Sequence, residues 1–225
     1  MTDGARRAPL KALWVVTNYP TPRNPVSGVF IQELAAHMSS QVDLTVLVQV
    51  PWFPPLKRYK DDRDALQNLS LADSDSSYKV RYFYSPYIPI WKLPESLATG
   101  LGAILCCLLA LLWVTRERVR PDLIHAHMGL NALTGAIISR ALGVPLVTTF
   151  NGSDINRGTE IRPGNGFRRW GTLFGLRSSR MVIGISQDLC RKVIALDVPE
   201  AVVVHVPDGF DRHKFDRMDQ RQARR

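Results

Sequence analysis

Cysteine is scarce in this chain: Cys106, Cys107 and Cys190 are the only three in 225 residues. Two are adjacent and the third is remote, so they form no disulfide framework, and a reducing cytosol is the expected setting. The opening MTDGARRAPLK has neither an uninterrupted apolar core nor a small-residue cleavage site, so export is not expected. The loop after the first apolar segment lacks a three-glycine G-x-G-x-x-G fingerprint, and Gln49 and Val50 stand where an acidic residue would end the second strand. These absences disfavour a nicotinamide-dependent oxidoreductase or another Rossmann-like nucleotide-binding protein, which stays open as an alternative. Zinc modules, RNA-recognition signatures and heptads are missing too, so the net charge of +9 does not point to nucleic acid.

What is present is an alternation of strand and helix patterns. Strands are expected at residues 10–16, 42–48, 79–84, 122–126, 146–150, 181–185 and 201–206. Helices are expected at 28–38, 97–114, 131–142, 168–176 and 186–196, with Ser186 as an N-cap and Gly143 and Pro145 stopping the fourth-strand crossover helix. Repeated βαβ order predicts an α/β fold, a Rossmann-like doubly wound and mostly parallel sheet. Hydrophobic residues make up 45% of the chain, enough for one sizeable core, and residues 1–210 are expected to form one domain.

One run is apolar enough to raise another question. Ser96 to Thr115 carries no charge over 20 residues, the length of a membrane span. Gly100, Gly102, Ser96, Thr99 and Thr115 dilute it, and strands on both sides have to join one sheet, so the expectation is a buried or membrane-surface helix. The flanking Arg116, Arg118 and Arg120 would suit a helix held near anionic lipid. Basic charge gathers again between residues 157 and 180, where Arg157, Arg162, Arg168, Arg169, Arg177 and Arg180 face only Glu160. A solvated face, a phosphate-bearing acceptor and a membrane surface all remain readings of that patch.

Candidate function lies where strands end, because ligands of open α/β sheets sit at the carboxyl ends of the strands. PLVTTFNGSDIN, residues 145–156, runs from a strand into Asn151, Gly152, Ser153 and Asp154, which offer an amide, an unencumbered backbone, a hydroxyl and a charge. In DLIHAH the period of two places His125 and His127 on one strand face, His125 toward the core and His127 at the rim. Hydrogen bonding is expected of them rather than metal binding, since no third ligand is evident. Ser27 and Gly28 open the first helix, where unsatisfied N–H groups favour an anion, although an ordinary helix-entry turn reads the same way. Trp52 and Trp91 lie in the irregular regions 50–78 and 85–94, as sugar-stacking or membrane-seeking rings or simply as loop anchors.

Taken together, Ser27-Gly28, RPDLIHAH, GVPLVTTFNGSD, IGISQDL and VPDGFDRHKF, in this order and spacing, resemble the N-terminal half of a retaining GT-B glycosyltransferase of family 4. The resemblance spans nearly the whole chain. It implies transfer of a sugar from a nucleotide-sugar donor to a glycan or lipid-linked acceptor, with no cofactor and no essential metal. It assigns Ser27 and Gly28 to the donor phosphates, Asn151 to the reacting centre, and His127, Gly152, Ser153 and Asp154 to substrate binding. Trp52, Trp91, Arg157, Arg168 and Arg169 are left to the acceptor or a peripheral membrane surface.

Three departures follow from the same resemblance. Ser27 replaces the first of two glycines usual in the phosphate loop. Asn151 replaces a histidine, and an amide hydrogen-bonds but carries no proton or charge near neutral pH. The family's second, donor-binding domain, with its basic pair and pair of glutamates, has no counterpart here, and residues 211–225 read as the start of an interdomain linker. Little transfer is therefore expected of the chain alone, and a separate donor-binding domain is an expected partner. A non-catalytic glycan- or lipid-binding module is the other alternative.

Overall fold

The computed structural model describes residues 8–21, 24–52, 77–86, 95–157, 159–160 and 165–209. Its elements run β1 (Leu10–Val16), α1 (Val29–Met38), β2 (Val42–Trp52), β3 (Lys79–Pro86), α2 (Glu95–Arg116), β4 (Leu123–His127), α3 (Gly129–Leu142), β5 (Leu146–Phe150), α4 (Ser153–Asn156), α5 (Gly166–Ser178), β6 (Met181–Gly184), α6 (Gln187–Ile194) and β7 (Val203–His205). The seven strands form one sheet in the order β3-β2-β1-β4-β5-β6-β7, and every pairing is parallel. Successive strands step outward from β1 to one edge and then from β4 to the other. The topological switch point is thus the β1/β4 boundary, and in open α/β sheets ligands bind beside such a point at the carboxyl ends of the strands.

The apolar residues of β1 explain its central place. Leu13 and Val15 face a core shared with Leu47, Phe83, Cys106, Ala110 and Val114, whereas Ala12, Trp14 and Val16 face a second core with Ile31, Ala35, Leu44 and Val46. A strand buried on both faces is continuously apolar, as a parallel sheet requires. The first core lies under α2 and α3 and the second under α1. A third cluster joins Phe150, Leu176, Val182, Leu189 and Val193 near the β7 edge.

Several expectations need correction. β2 continues to Trp52 because Val50, Pro51 and Trp52 pair with Tyr84, Ser85 and Pro86, so the irregular region begins later than Val50. The Ser153–Asp154 turn is a one-turn helix. The stretch expected as a strand from Ala201 begins as a 3₁₀ turn over Glu200–Val202, because Val202 N–H bonds back to Pro199 O at 3.1 Å, and only Val203–His205 pairs with β6. Ser186 caps α6 as expected, its Oγ accepting from Leu189 N–H at 3.3 Å.

Helix α2 is long and apolar enough to cross a bilayer by length and composition. Cys106, Ala110 and Val114 nevertheless pack with Leu13, Val15 and Leu47 of the sheet, which ties the helix to the domain. Burial drives the Cys106 thiol up to about 12 and raises Cys107 as well, so both act as small apolar side chains.

Candidate active site at the carboxyl ends of β1, β4 and β5

Asp154 organises this end of the sheet. Its Oδ1 accepts from Gly152 N–H at 2.9 Å and from Asn151 N–H at 3.2 Å, and its Oδ2 accepts from Gly129 N–H at 2.9 Å. One carboxylate thereby joins the turn after β5 to the turn after β4. Burial raises its pKa, opposed by the N–H donors it accepts. Both oxygens of the carboxylate expected to contact substrate thus accept from backbone N–H groups.

The backbone around it is strained in two places. Gly152 has φ +111°, a conformation that favours glycine, and its N–H still reaches Asp154. Met128 has φ 73° and ψ 149°, a region almost confined to glycine, yet it carries a side chain. Its N–H bonds to Thr149 O at 2.8 Å, and Asn18 Nδ2 bonds to its Sδ at 3.1 Å, so the strained residue bridges β5 and the loop after β1 across the switch point. Neither Asn18 nor Met128 was a sequence candidate, and no composition or spacing signal singles them out.

The two histidines reverse their expected placement. His127 is the buried one, at 2% exposure, while His125 is half-buried. They do share a face: their rings lie 4.1 Å apart and both pack on Trp14. His127 sits inside because its strand position faces the core beside Trp14, and the strand continues to this residue before turning at Met128. Burial lowers His125 to about 4 and holds His127 well below its ordinary value, with His125 adding to the effect. Both are neutral near pH 7. His125 Nε2 meets Thr149 Oγ1 at 2.8 Å, whereas among the described residues His127 Nε2 has no hydrogen-bond partner. The His127 carbonyl accepts from Asn131 Nδ2 at 2.6 Å.

Asn151 follows β5 directly and is half-buried, with its backbone N–H turned to Asp154. Among the described residues its side-chain amide has no protein partner, and Ser153 beside it is exposed. Gly28 has φ +68°, and a Cβ there would stand 2.2 Å from Asn18 O, so close packing of α1 on the loop after β1 already requires glycine. Ser27 is half-buried next to it, its N–H bonded to Asn24 O at 3.2 Å.

The remaining candidates do not gather here. Arg169 Nε donates to Thr159 O at 3.1 Å and holds the loop before α5, while Arg157 and Arg168 are exposed. Arg177, part of the same basic stretch, is bound to Asp197 and to Leu196 O. Trp52 closes β2, and its side chain lies outside the described residues, as do Trp91, Arg162 and residues 210–225.

Comparison with known proteins bears on the fold and the family. A protein of Bacillus subtilis (strain 168) described as a teichuronic acid biosynthesis glycosyltransferase, TuaC, is 27% identical over 154 residues, covering 65% of this chain and 37% of its own length. The N-terminal domain of Candida albicans trehalose-6-phosphate phosphatase superposes with a TM-score of 0.65 at 10% identity, covering 95% of this chain and 51% of that one. Anabaena HepE, solved with UDP and glucose, gives a TM-score of 0.51 at 16% identity, covering 96% and 49%. At such identities the structural likeness shows the fold alone. The chain thus spans about 37% of its curated relative and about half of each solved structure. The Glycosyl transferase 4-like domain family matches residues 27–209, and the chain belongs to it.

Proposed function

We propose that this chain forms the acceptor-side half of a retaining glycosyltransferase, working with a second, donor-binding unit to move a sugar from a nucleotide-sugar to a glycan or lipid-linked acceptor. The carrying observation is the unpartnered Asn151 amide at the end of β5, held over a turn that Asp154 ties to β4. A positioned neutral amide donates to and accepts from sugar hydroxyls without proton transfer. The strained Gly152 and Met128 turns hold it rigidly, and pre-organisation of this kind contributes to rate by orienting the reacting groups. The N-terminus of α1, with Ser27 and Gly28, offers its first N–H groups to the donor phosphates. TuaC is described as a teichuronic acid glycosyltransferase, and HepE was solved with UDP and glucose, which supports a nucleotide-sugar donor and a polysaccharide product. Transfer would take place at the inner face of the cytoplasmic membrane.

Membrane contact is supported by one specific observation. Leu97, Leu101, Ile104, Leu108 and Leu112 of α2 are between 43% and 60% exposed and recur every three or four residues, which makes a continuous apolar stripe. Such a face would rest in the headgroup boundary rather than cross the bilayer.

The test joins this chain to the donor-binding half of the Bacillus relative and follows transfer from a panel of labelled nucleotide-sugars into a membrane fraction. Transfer by the joined protein, its loss in Asn151→Ala and its retention in Asn151→Gln are expected. A folded, joined protein that is inactive with every donor would sink the reading.

A further inference from the structure

At the opposite end of the sheet, where the strands begin, lies a groove of about 430 Å³ that the transfer reaction does not use. Lys11, Asp43, Thr45, Lys79 and Arg81 line it from the starts of β1, β2 and β3. The parallel register sets Lys11 beside Asp43 and Thr45 beside Lys79. These residues share a strand face with Leu13, Leu47 and Phe83, so they continue the α2 side of the sheet after its core has ended. Glu117, Arg118 and Arg120 line the other wall as the chain leaves α2.

Five cationic side chains, Lys11, Lys79, Arg81, Arg118 and Arg120, therefore face two carboxylates, Asp43 and Glu117. Among the described residues, none of the five has an acidic partner within 4 Å; the ion pairs found there belong to Arg177 and Lys192. Arg118 adds a backbone observation. It has φ 52°, and α2 closes with Arg118 N–H bonded to Thr115 O at 3.2 Å and Val119 N–H bonded to Val114 O at 3.0 Å. That termination has its left-handed residue at the position where glycine is the usual occupant, and here an arginine takes the strain.

The groove also follows the apolar stripe along the chain. Leu108 and Leu112 lead along α2 to Arg116, the last helical residue, and then to Arg118 and Arg120. Apolar side chains directly followed by unpaired cations match a bilayer edge, where acyl chains give way to phosphates.

We propose that this groove binds the phosphate of an anionic phospholipid headgroup while the α2 stripe lies among the acyl chains. The inference rests on the membrane reading of α2 and adds a defined headgroup site to it. It would set the domain on the membrane through the end of the sheet remote from the candidate active site, leaving the carboxyl-end crevice free for donor and acceptor.

The experiment is flotation of the full chain with vesicles of phosphatidylcholine alone and of phosphatidylcholine mixed with phosphatidylglycerol. Wild type is expected to float weakly with the first and strongly with the second. Lys79→Gln with Arg118→Gly should lose about thirtyfold of the anionic preference, taking a typical contribution per basic residue near a charged surface. Glycine accepts the left-handed conformation at 118, so this variant should keep its unfolding midpoint. A control of equal charge loss elsewhere, Arg180→Gln with Arg191→Gln, should leave the preference nearly intact. Equal binding to both vesicles overturns the headgroup site while membrane contact stands. Equal losses in the control overturn it in favour of unspecific charge attraction. No flotation with either vesicle removes the membrane reading and this site together, and a stable dimer in light scattering under those conditions would assign the stripe to a second copy of the chain.

Discussion

Helices α2 and α3 cover the same face of the sheet, yet they are buried in opposite relation to their apolarity. Leucine, alanine and cysteine make up 12 of the 22 residues of α2, and a third of its apolar window is buried. α3 reads GLNALTGAIISRAL, with glycines, a serine, an asparagine and a threonine, and buries Gly129, Asn131, Ala132, Leu133, Thr134, Gly135, Ala136 and Ile138. The difference lies in side-chain size. A Cβ added to Gly135 would stand 2.8 Å from Leu146 Cδ1, and one added to Gly175 of α5 would stand 2.4 Å from the Ala132 backbone. Small residues let the central helix approach the sheet and α5 closely, and that contact excludes water. On α2 the long side chains of Leu97, Leu101, Ile104, Leu108 and Leu112 face outward.

The contrast predicts opposite signs for the same substitution. Gly175→Ala places a methyl group against the α3 backbone, which cannot move aside as a flexible side chain can, and it should destabilise by on the order of 3 kcal/mol or more. Gly102 of α2 has nothing within 4 Å of an added Cβ. Gly102→Ala should therefore stabilise by about 0.5–1 kcal/mol through helix propensity alone. Denaturant midpoints of the two variants measure both, and a Gly175→Ala protein as stable as wild type would break the packing account.

The face opposite α2 and α3 sharpens the comparison, because there β4 buries titratable rings. His125 is held at about 4 against an ordinary 6.5. Between those values the unfolded chain binds a proton that the folded one refuses, so stability rises with pH across this window and is lost as pH falls from 6.5 toward 4. His125 alone accounts for about 3 kcal/mol over the full window, and His127 acts in the same direction. Unfolding midpoints measured from pH 7 to pH 4 should fall steeply for wild type and less steeply for His125→Gln. Parallel profiles would show that the ring is not protected from protonation.

The end of α3 gives a smaller effect. Asp154→Ala removes the acceptor of three backbone N–H groups, at Asn151, Gly152 and Gly129, and leaves the N-terminus of α3 without its carboxylate. The expected cost is about 2 kcal/mol, with looser turns around Asn151 and faster amide exchange at these positions. Asp154→Asn keeps an oxygen acceptor and should recover part of the loss. Unchanged exchange in Asp154→Ala would detach the carboxylate from the site's architecture.

The fold was legible because continuous apolar strands and glycine-stopped helices report burial directly, and the seven strands follow from them. The site was legible only as a place. NGSD marks a strand end, but the sequence cannot tell that Asp154 turns inward to bind N–H groups of two different loops, since that partnership depends on β4 and β5 being neighbours. His125 and His127 were placed on one face by the period of two, yet which is deeper depends on where the strand stops, and it runs through His127. Met128 and Asn18 carry no sequence signal at all, because their roles arise from a bridge across the switch point. Apolarity itself misleads at α2, where hydropathy is highest and burial partial.

Leu108→Gln tests that last statement at the smallest scale. Leu108 is 58% exposed, so the folded protein shields little of it and the substitution removes little buried area. A surface change of this kind lies within about 0.5 kcal/mol of wild type, whereas Ile138→Ala, in the fully buried row of α3, should cost about 2–5 kcal/mol. The same Leu108→Gln protein should bind vesicles more weakly, because an apolar side chain that contributes nothing to folding is free to contribute to a surface. Stability and membrane affinity thus separate at one residue: an unaltered unfolding midpoint with reduced flotation assigns the stripe to an external partner, and a large drop in stability would instead return α2 to the ordinary core.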